Sequence, residues 1–542
     1  MMTTSFDFII VGAGTAGIAL ATRFAEKGDQ SVLVLEAGED HTDDPRVKMP
    51  AFYTAQFGTE MDWGSRRLRI CVSLNQDKNL GGSSRMNAHV YAPLTQAMLD
   101  GWVELGNPGW EWDTMGPYYT KAFTSLQLSE RFKSSLAIDH WGPDDVVSSG
   151  PVRLSYPGNP PYPIRKLWAE LFKQRGYVAS TDPWLQNPIG AFSSLASIDP
   201  DTKERNHAAK AYLAAAHHRQ NLGAVLGACV EKIVLSMGQK QPGATGVQYY
   251  YEGSLNRVDA DKEVIIAAGA LHSPKLLELS GIGNPDILNK HASIQKTRAF
   301  EEAMLRYSQH REGLLTSTGI KTFAYLPTME FLSADTRDEM IQLISKNLPT
   351  HGFTQEETRA GMYNGIARKM LLNPKQAFGM VHYSRHACST PFSRGTVHII
   401  SNKSIDAPDI DPKYLSNPLD AEIFVQIVSY IKSIASSTPL SSVLKQPLQT
   451  SVPSIPIVNL VSARRYIESR TISMWHPAGT CAMLPEQVGG VVDTCLKVHG
   501  VGRLRVVDSS VVPLLPSGNL QSTIYAIAER AADLIKSAHR LQ

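Results

Sequence analysis

The feature that most constrains this chain is a glycine turn set between a short apolar run and an alanine-rich stretch. Phe6-Asp7-Phe8-Ile9-Ile10-Val11 has the length and apolar density of a buried strand. Gly12-Ala13-Gly14-Thr15-Ala16-Gly17 follows at once, and Ile18 to Lys27 reads as a helix ended by Gly28. Ser31 to Leu35 is a second buried strand, with Glu36 and Ala37 at its tip. The unit is one βαβ with a parallel strand pair. In that setting Gly12 permits the tight turn, Gly14 lets a diphosphate approach the backbone, and Gly17 lets helix and strand pack closely. The helix start offers free N–H groups and a positive dipole end to phosphate. Glu36 lies near the offset at which an acid meets a ribose 2′-OH, which favours FAD or NAD over NADP.

Composition bounds the rest. The chain has 542 residues, a prior of two to four domains, and 43% hydrophobic against 19% charged residues, which suits a globular protein. Lys and Arg number 53 against 51 Asp and Glu, a net charge of +2, so nothing asks for nucleic acid or an anionic membrane. Cys71, Cys229, Cys388, Cys481 and Cys495 show no paired spacing, which argues against a disulfide scaffold and a Cys-rich zinc site. No metal is expected: His272, His398 and His499 read as surface or core histidines outside any ligand spacing. No apolar run reaches the roughly 18 residues of a membrane helix. With no basic leader before Phe6, the expectation is a soluble, cytoplasmic monomer or dimer without membrane contact.

Strand and helix signals return late in the chain. Glu263 to Gly269 and Leu504 to Asp508 look like buried strands, and Gln521 to His539 like a closing helix. Ser148 to Pro163 reads as a linker, Ile164 to Arg175 and Ala421 to Ser436 as helices, and Ser433 to Ser454 as irregular. The pattern is a nucleotide-binding domain made of separated segments, with a second domain inserted between them.

Several further segments carry a resemblance. Leu80-Gly81-Gly82-Ser83-Ser84-Arg85-Met86-Asn87 resembles the GGSSxxN segment of the glucose–methanol–choline (GMC) flavin oxidoreductases. Gly106 to Trp110, Gly269 to Gly283, Ser393 to Val397, Pro408 to Tyr414, Ser473 to Thr480, Val491 to Asp493, Leu504 to Asp508 and Pro516 to Asn519 follow in the family's order. The likeness runs from about residue 6 to residue 536. It implies an α/β fold: a Rossmann-like FAD-binding domain of discontinuous segments (1–155, 206–295 and 458–542). An α+β substrate domain (156–205 and 296–457), with helices and a mainly antiparallel sheet, completes the chain.

The resemblance also implies roles. Thr15, Ala16 and Glu36 would touch the adenosine and pyrophosphate, with Ala37 beside them and the backbone of Val230 meeting the adenine. Gly82 and Asn87 to Val90 would line the flavin, Asp508 and Ser509 would face the ribityl chain, and Trp475 would flank the ring. Oxidising an alcohol needs a hydride acceptor and a base for the hydroxyl proton. Histidine suits the base role because its ordinary pKa is near 6.5. His476 is the candidate base, aimed by Pro477 and Gly479. Asn519 can hold the alcohol oxygen but cannot take its proton. The expected reaction is oxidation of a small alcohol, aromatic or from secondary metabolism, with O₂ or a quinone-type molecule as electron acceptor. Alternatives on the same scaffold are a lyase that cleaves cyanohydrins and a non-catalytic relative. Flavin bleaching by an alcohol without oxygen separates them.

Three departures stand out. Met86 occupies the position where some members attach FAD through histidine, so the FAD is expected to be non-covalent. Residues 65–79, which should lie beside the flavin, match the family poorly, and Pro93-Leu94 replaces its Arg-Gly. After Gly283 a PGVGxNLxDH-type piece is absent, and Ile294 to Lys296 passes straight into substrate-domain sequence.

Overall fold

The computed structural model describes the chain except residues 1–4, 65–73, 93–94, 125–132, 135–147, 157–163, 178–188, 237–240, 292–321, 348–353, 375–378, 383–384, 389–390, 445–456, 517 and 542. Its largest sheet is assembled from three distant parts of the chain. Leu222–Val225, Val32–Leu35, Ser5–Val11 and the end of Ser254–Ile266 lie side by side and parallel, and Leu504–Val506 adds a further parallel strand. The start of Ser254–Ile266 instead pairs antiparallel with Gly243–Tyr251, which pairs with Cys229–Ser236. One 13-residue strand therefore belongs to both the parallel layer and the antiparallel hairpin. Only its apolar end is legible in the sequence, because residues 254–262 are mostly polar and Asn256-Arg257 breaks the alternation that marks a strand.

Register fixes where a ligand can go. Val11 stands opposite both Leu35 and Ile266, so Gly12, Glu36 and Ala267 leave the sheet together at its carboxyl edge. That edge is where open parallel sheets bind ligands. The glycine-turn helix spans Thr15–Phe24, so it begins inside the turn and ends earlier than expected. Its Arg23 pairs at 2.8 Å with Glu529, fully buried in the long closing helix Leu520–Ala538. The Glu529 charge is compensated there by Arg23, Lys121 at 3.3 Å and the Tyr212 hydroxyl at 2.9 Å, the pairing a buried carboxylate needs.

A second sheet, antiparallel throughout, orders Arg385–Cys388, Gly379–His382, Thr322–Leu326 and Gly190–Ser193. Helices Ile164–Gln174 and Pro418–Ala435 pack on it. The fold is thus α/β around one parallel sheet, with an antiparallel sheet and helices beside it. Residues 148–163 are not linker throughout: Val152–Arg153 forms a short strand parallel to Phe123–Thr124. Much of the irregular 433–454 stretch and the 294–297 junction lie outside the described residues. Among the described residues no helix is long and apolar enough to cross a membrane, and no group of three His, Cys, Asp or Glu could hold a metal.

Candidate active site

A cleft of about 1990 Å³ opens at the carboxyl edge of the parallel sheet. One end is built from backbone. Gly12 has φ +106°, and a Cβ there would lie 2.5 Å from the Ala267 carbonyl. Gly17 faces away from the cleft, where a Cβ would sit 1.9 Å from the Gly12 carbonyl, so it serves packing and not contact. Gly82 lies against Gly14, with space for no side chain: its Cβ would meet the Gly14 Cα at 2.5 Å. The Gly81 N–H also donates to the Ala13 carbonyl at 2.8 Å. Two glycine segments far apart in the sequence thus form one surface of backbone, with the start of the Thr15–Phe24 helix open to the cleft.

Glu36 organises this end. Its carboxylate accepts from the N–H of Ala13 and of Gly38, each at 2.8 Å, and its carbonyl accepts from Ala228 N–H at 2.7 Å. Burial raises its pKa. Glu36 therefore ties the glycine turn to the segment carrying Val230, and Ala37 and Val230 line the same wall. Asp508 works similarly. It accepts from Gly269 N–H at 2.9 Å, the Ser273 hydroxyl at 2.5 Å and Ser510 N–H at 2.7 Å, and burial pushes its pKa up. Both of its oxygens are engaged by protein, so Asp508 holds the strand end to helix Gly269–Leu279 while Ser509 faces the cleft.

The other end is built from side chains. Residues 479–483 run beside 509–511, bonded through Gly479, Cys481 and Met483 N–H groups, and the Thr480 hydroxyl donates to the Ala270 carbonyl at 2.6 Å. This anchors the loop before it. Trp475 takes a left-handed conformation at φ +56°, and its backbone N–H donates to the Ser473 hydroxyl at 2.8 Å. Its ring lies 5.6 Å from that of Phe57. His476 follows, deep in the protein but open to the cleft, and burial lowers its pKa to about 4. At neutral pH the imidazole is therefore uncharged and free to accept a proton.

Asn519 caps helix Leu520–Ala538 by position only, since its side chain makes no capping bond. Its Nδ2 instead lies 3.3 Å from His476 Nε2, and its Oδ1 has no partner among the described residues. Two residues on, Gln521 accepts from Asn87 Nδ2 at 2.9 Å. Buried Arg205 donates to the Asn87 carbonyl at 2.7 Å and to its Oδ1 at 3.0 Å. Asn87, Val90, Trp475, His476 and Asn519 thus converge on one stretch of the cleft.

Comparison with known proteins accords with this arrangement. The family model for the N-terminal part of GMC oxidoreductases matches residues 6–351, and that for the C-terminal part matches residues 391–528. The chain is a GMC oxidoreductase. It is 30% identical to "Dehydrogenase mpl7" of Monascus purpureus, covering 98% of this chain and 96% of that protein. It is 28% identical to "Versicolorin B synthase" of Aspergillus parasiticus, covering 97% and 88% respectively. A solved FAD-dependent oxidoreductase from Chaetomium thermophilum superposes with TM-score 0.85 at 27% identity, over 99% of this chain and all of the other. The alignment to the Monascus protein spans 611 positions against 542 residues here, so that relative carries residues this chain lacks.

The protein is accordingly an FAD-dependent oxidoreductase, and the cleft fits the cofactor. A Cβ at Gly82 would fill the cradle between the glycine turn and the GGSS turn, where only backbone can line a diphosphate. Several cleft residues escaped the sequence reading. His272, taken as surface or core, is buried in the cleft wall against the Trp63 ring at 4.1 Å, with its pKa lowered to about 3 by burial. Asp77, in the poorly matching 65–79 stretch, is buried there too, and burial pushes its pKa up to about 8. Nothing local marks Asp77, and His272 sits in the Gly269–Gly283 segment without a role that the family likeness implies. His398 and His499 are structural, bonded to Glu278 at 2.8 Å and the Leu484 carbonyl at 3.0 Å.

Proposed function

We propose that this chain oxidises the CH–OH group of a small aromatic alcohol to a carbonyl. His476 takes the hydroxyl proton at Nε2, and Asn519 orients the alcohol oxygen through Nδ2. Bound FAD supplies the hydride acceptor, and the two electrons leave to O₂ or a quinone-type acceptor. The observation that carries this reading is the 3.3 Å approach of Asn519 Nδ2 to His476 Nε2, with the imidazole uncharged. Two groups so placed can share one oxygen, one donating to it while the other accepts its proton. Asn519 has no proton-accepting role to compete, so the base assignment falls on His476 alone.

The walls support an aromatic substrate. Tyr53, Phe57, Tyr363, Phe424 and Trp475 line the same cleft as His476. Stacked or edge-on rings contribute about 0.5–1.5 kcal/mol each beyond simple burial. The glycine turn, Glu36, Ala37, Val230, Gly82, Asn87, Val90, Asp508 and Ser509 are proposed to hold FAD. The attachment is non-covalent, since buried Met86 lines the cleft where a histidine would be needed. The test is anaerobic mixing of the purified holoprotein with 4-methoxybenzyl alcohol. Loss of the flavin's visible bands together with formation of the aldehyde is expected. A flavin that stays oxidised with this and other primary or secondary alcohols would end the proposal.

A further inference from the structure

The substrate side of the cleft carries two positive groups that the chemistry at His476 does not use. Arg394 lies 4.4 Å above the Tyr363 ring, and Arg359 stands one helical turn before Tyr363 on Gln355–Leu372. Both guanidinium-bearing residues line the cleft together with Tyr363. Neither makes an ion pair among the described residues. Arg359 reaches the Gly489 carbonyl from Nη1, at a long 3.5 Å.

Nearby acids leave both guanidinium groups without an ion pair among the described residues, although Asp420 lies close enough to Arg394 to feel its charge. Asp420 is buried, and its two oxygens accept from Phe392 and Ser393 N–H groups, each at 2.8 Å. Glu356 also lines the cleft but pairs with neither arginine among the described residues. Burial raises the Tyr363 hydroxyl pKa, outweighing the pull of Arg394 and Arg359, so the ring stays neutral.

The turn before Arg394 is tied to the start of helix Pro418–Ala435. Ser393, next to Arg394, accepts from Asn417 N–H at 3.0 Å.

We propose that Arg394, lying over Tyr363, and Arg359, one helical turn before it, form a binding site for a carboxylate borne on the aromatic alcohol substrate. The planar guanidinium fork matches a carboxylate, and Tyr363 offers a surface for the ring that carries it. This rests on the alcohol-oxidation reading only for the identity of the reacting group; the binding itself is independent of it.

The test therefore measures binding and reaction separately. Calorimetric titration of the holoprotein compares benzoate with its neutral analogue benzamide. Benzoate should bind on the order of tenfold more tightly, since the arginines are partly solvated. The preference should shrink as salt is raised. The double variant Arg359→Gln/Arg394→Gln should bring the two ligands within about twofold. Equal binding in the wild type, or a preference that survives the double variant, would overturn the site. Anaerobic flavin reduction by 3-(hydroxymethyl)benzoate and 3-(hydroxymethyl)benzamide is then compared. A benzoate preference without reduction by either alcohol would keep the site and remove the oxidation reading. Reduction by both at equal half-saturating concentrations, without a benzoate preference, would do the reverse.

Discussion

At the nucleotide end of the cleft the chain presents backbone; at the reactive end it presents side chains. Gly12, Gly14 and Gly82 bring main chain to main chain, and Glu36 is occupied with holding that backbone in place. His476 and Asn519 come from a loop and a helix start 43 residues apart, and they meet through a single 3.3 Å approach. The two constructions fail differently. At Gly12 and Gly82 the packing tolerates no added atom, so damage there removes the cofactor site. A pair of side chains in a roomy cleft can be cut back without disturbing the fold, so damage there removes chemistry and leaves binding.

The sharpest break comes from Gly17→Val. Its Cβ would lie 1.9 Å from the Gly12 carbonyl, which cannot move without shifting the whole turn. The variant should purify without flavin and fail to take it up when FAD is added. A variant with full visible absorbance would refute the account of this end. Asn519→Ala probes the other end and should do less. Losing one hydrogen bond to the substrate, on the order of 1 kcal/mol, predicts a roughly five- to tenfold slower flavin reduction at unchanged FAD content. A loss of FAD in that variant would erase the contrast between the two ends.

The same difference explains what the sequence made legible. The glycine turn, its strands and Glu36 are contiguous, and their chemistry is local, so the order of residues already specifies them. His476 was legible for another reason: it sits in a segment with a strong family likeness, and position within that segment identified it. The hairpin before Ser254–Ile266 was missed because its strands, though they bury Val230, Ile233, Ala244 and Val247, carry no unbroken apolar run like that of the parallel strands. Asp77 and Arg359 were invisible as cleft residues because no short motif surrounds them, and His272 and Arg394, though inside segments of family likeness, carry no role that the likeness implies; only the folding of distant segments brings them to one cleft. The junction near residue 296 remains a feature of sequence, its residues lying outside those described.

The most direct test of the central claim is the rate of anaerobic flavin reduction by an uncharged aromatic alcohol, measured against pH in the wild type and in His476→Ala. Burial lowers the His476 pKa, so the uncharged, proton-accepting form prevails above it and is lost as pH falls through it. The wild-type rate should therefore be level through neutral pH and decline as pH approaches about 4. The variant should retain its FAD, react about 10²–10⁴ times more slowly, and lose that decline. Equal rates in the two proteins at neutral pH would contradict the assignment of His476 as the base.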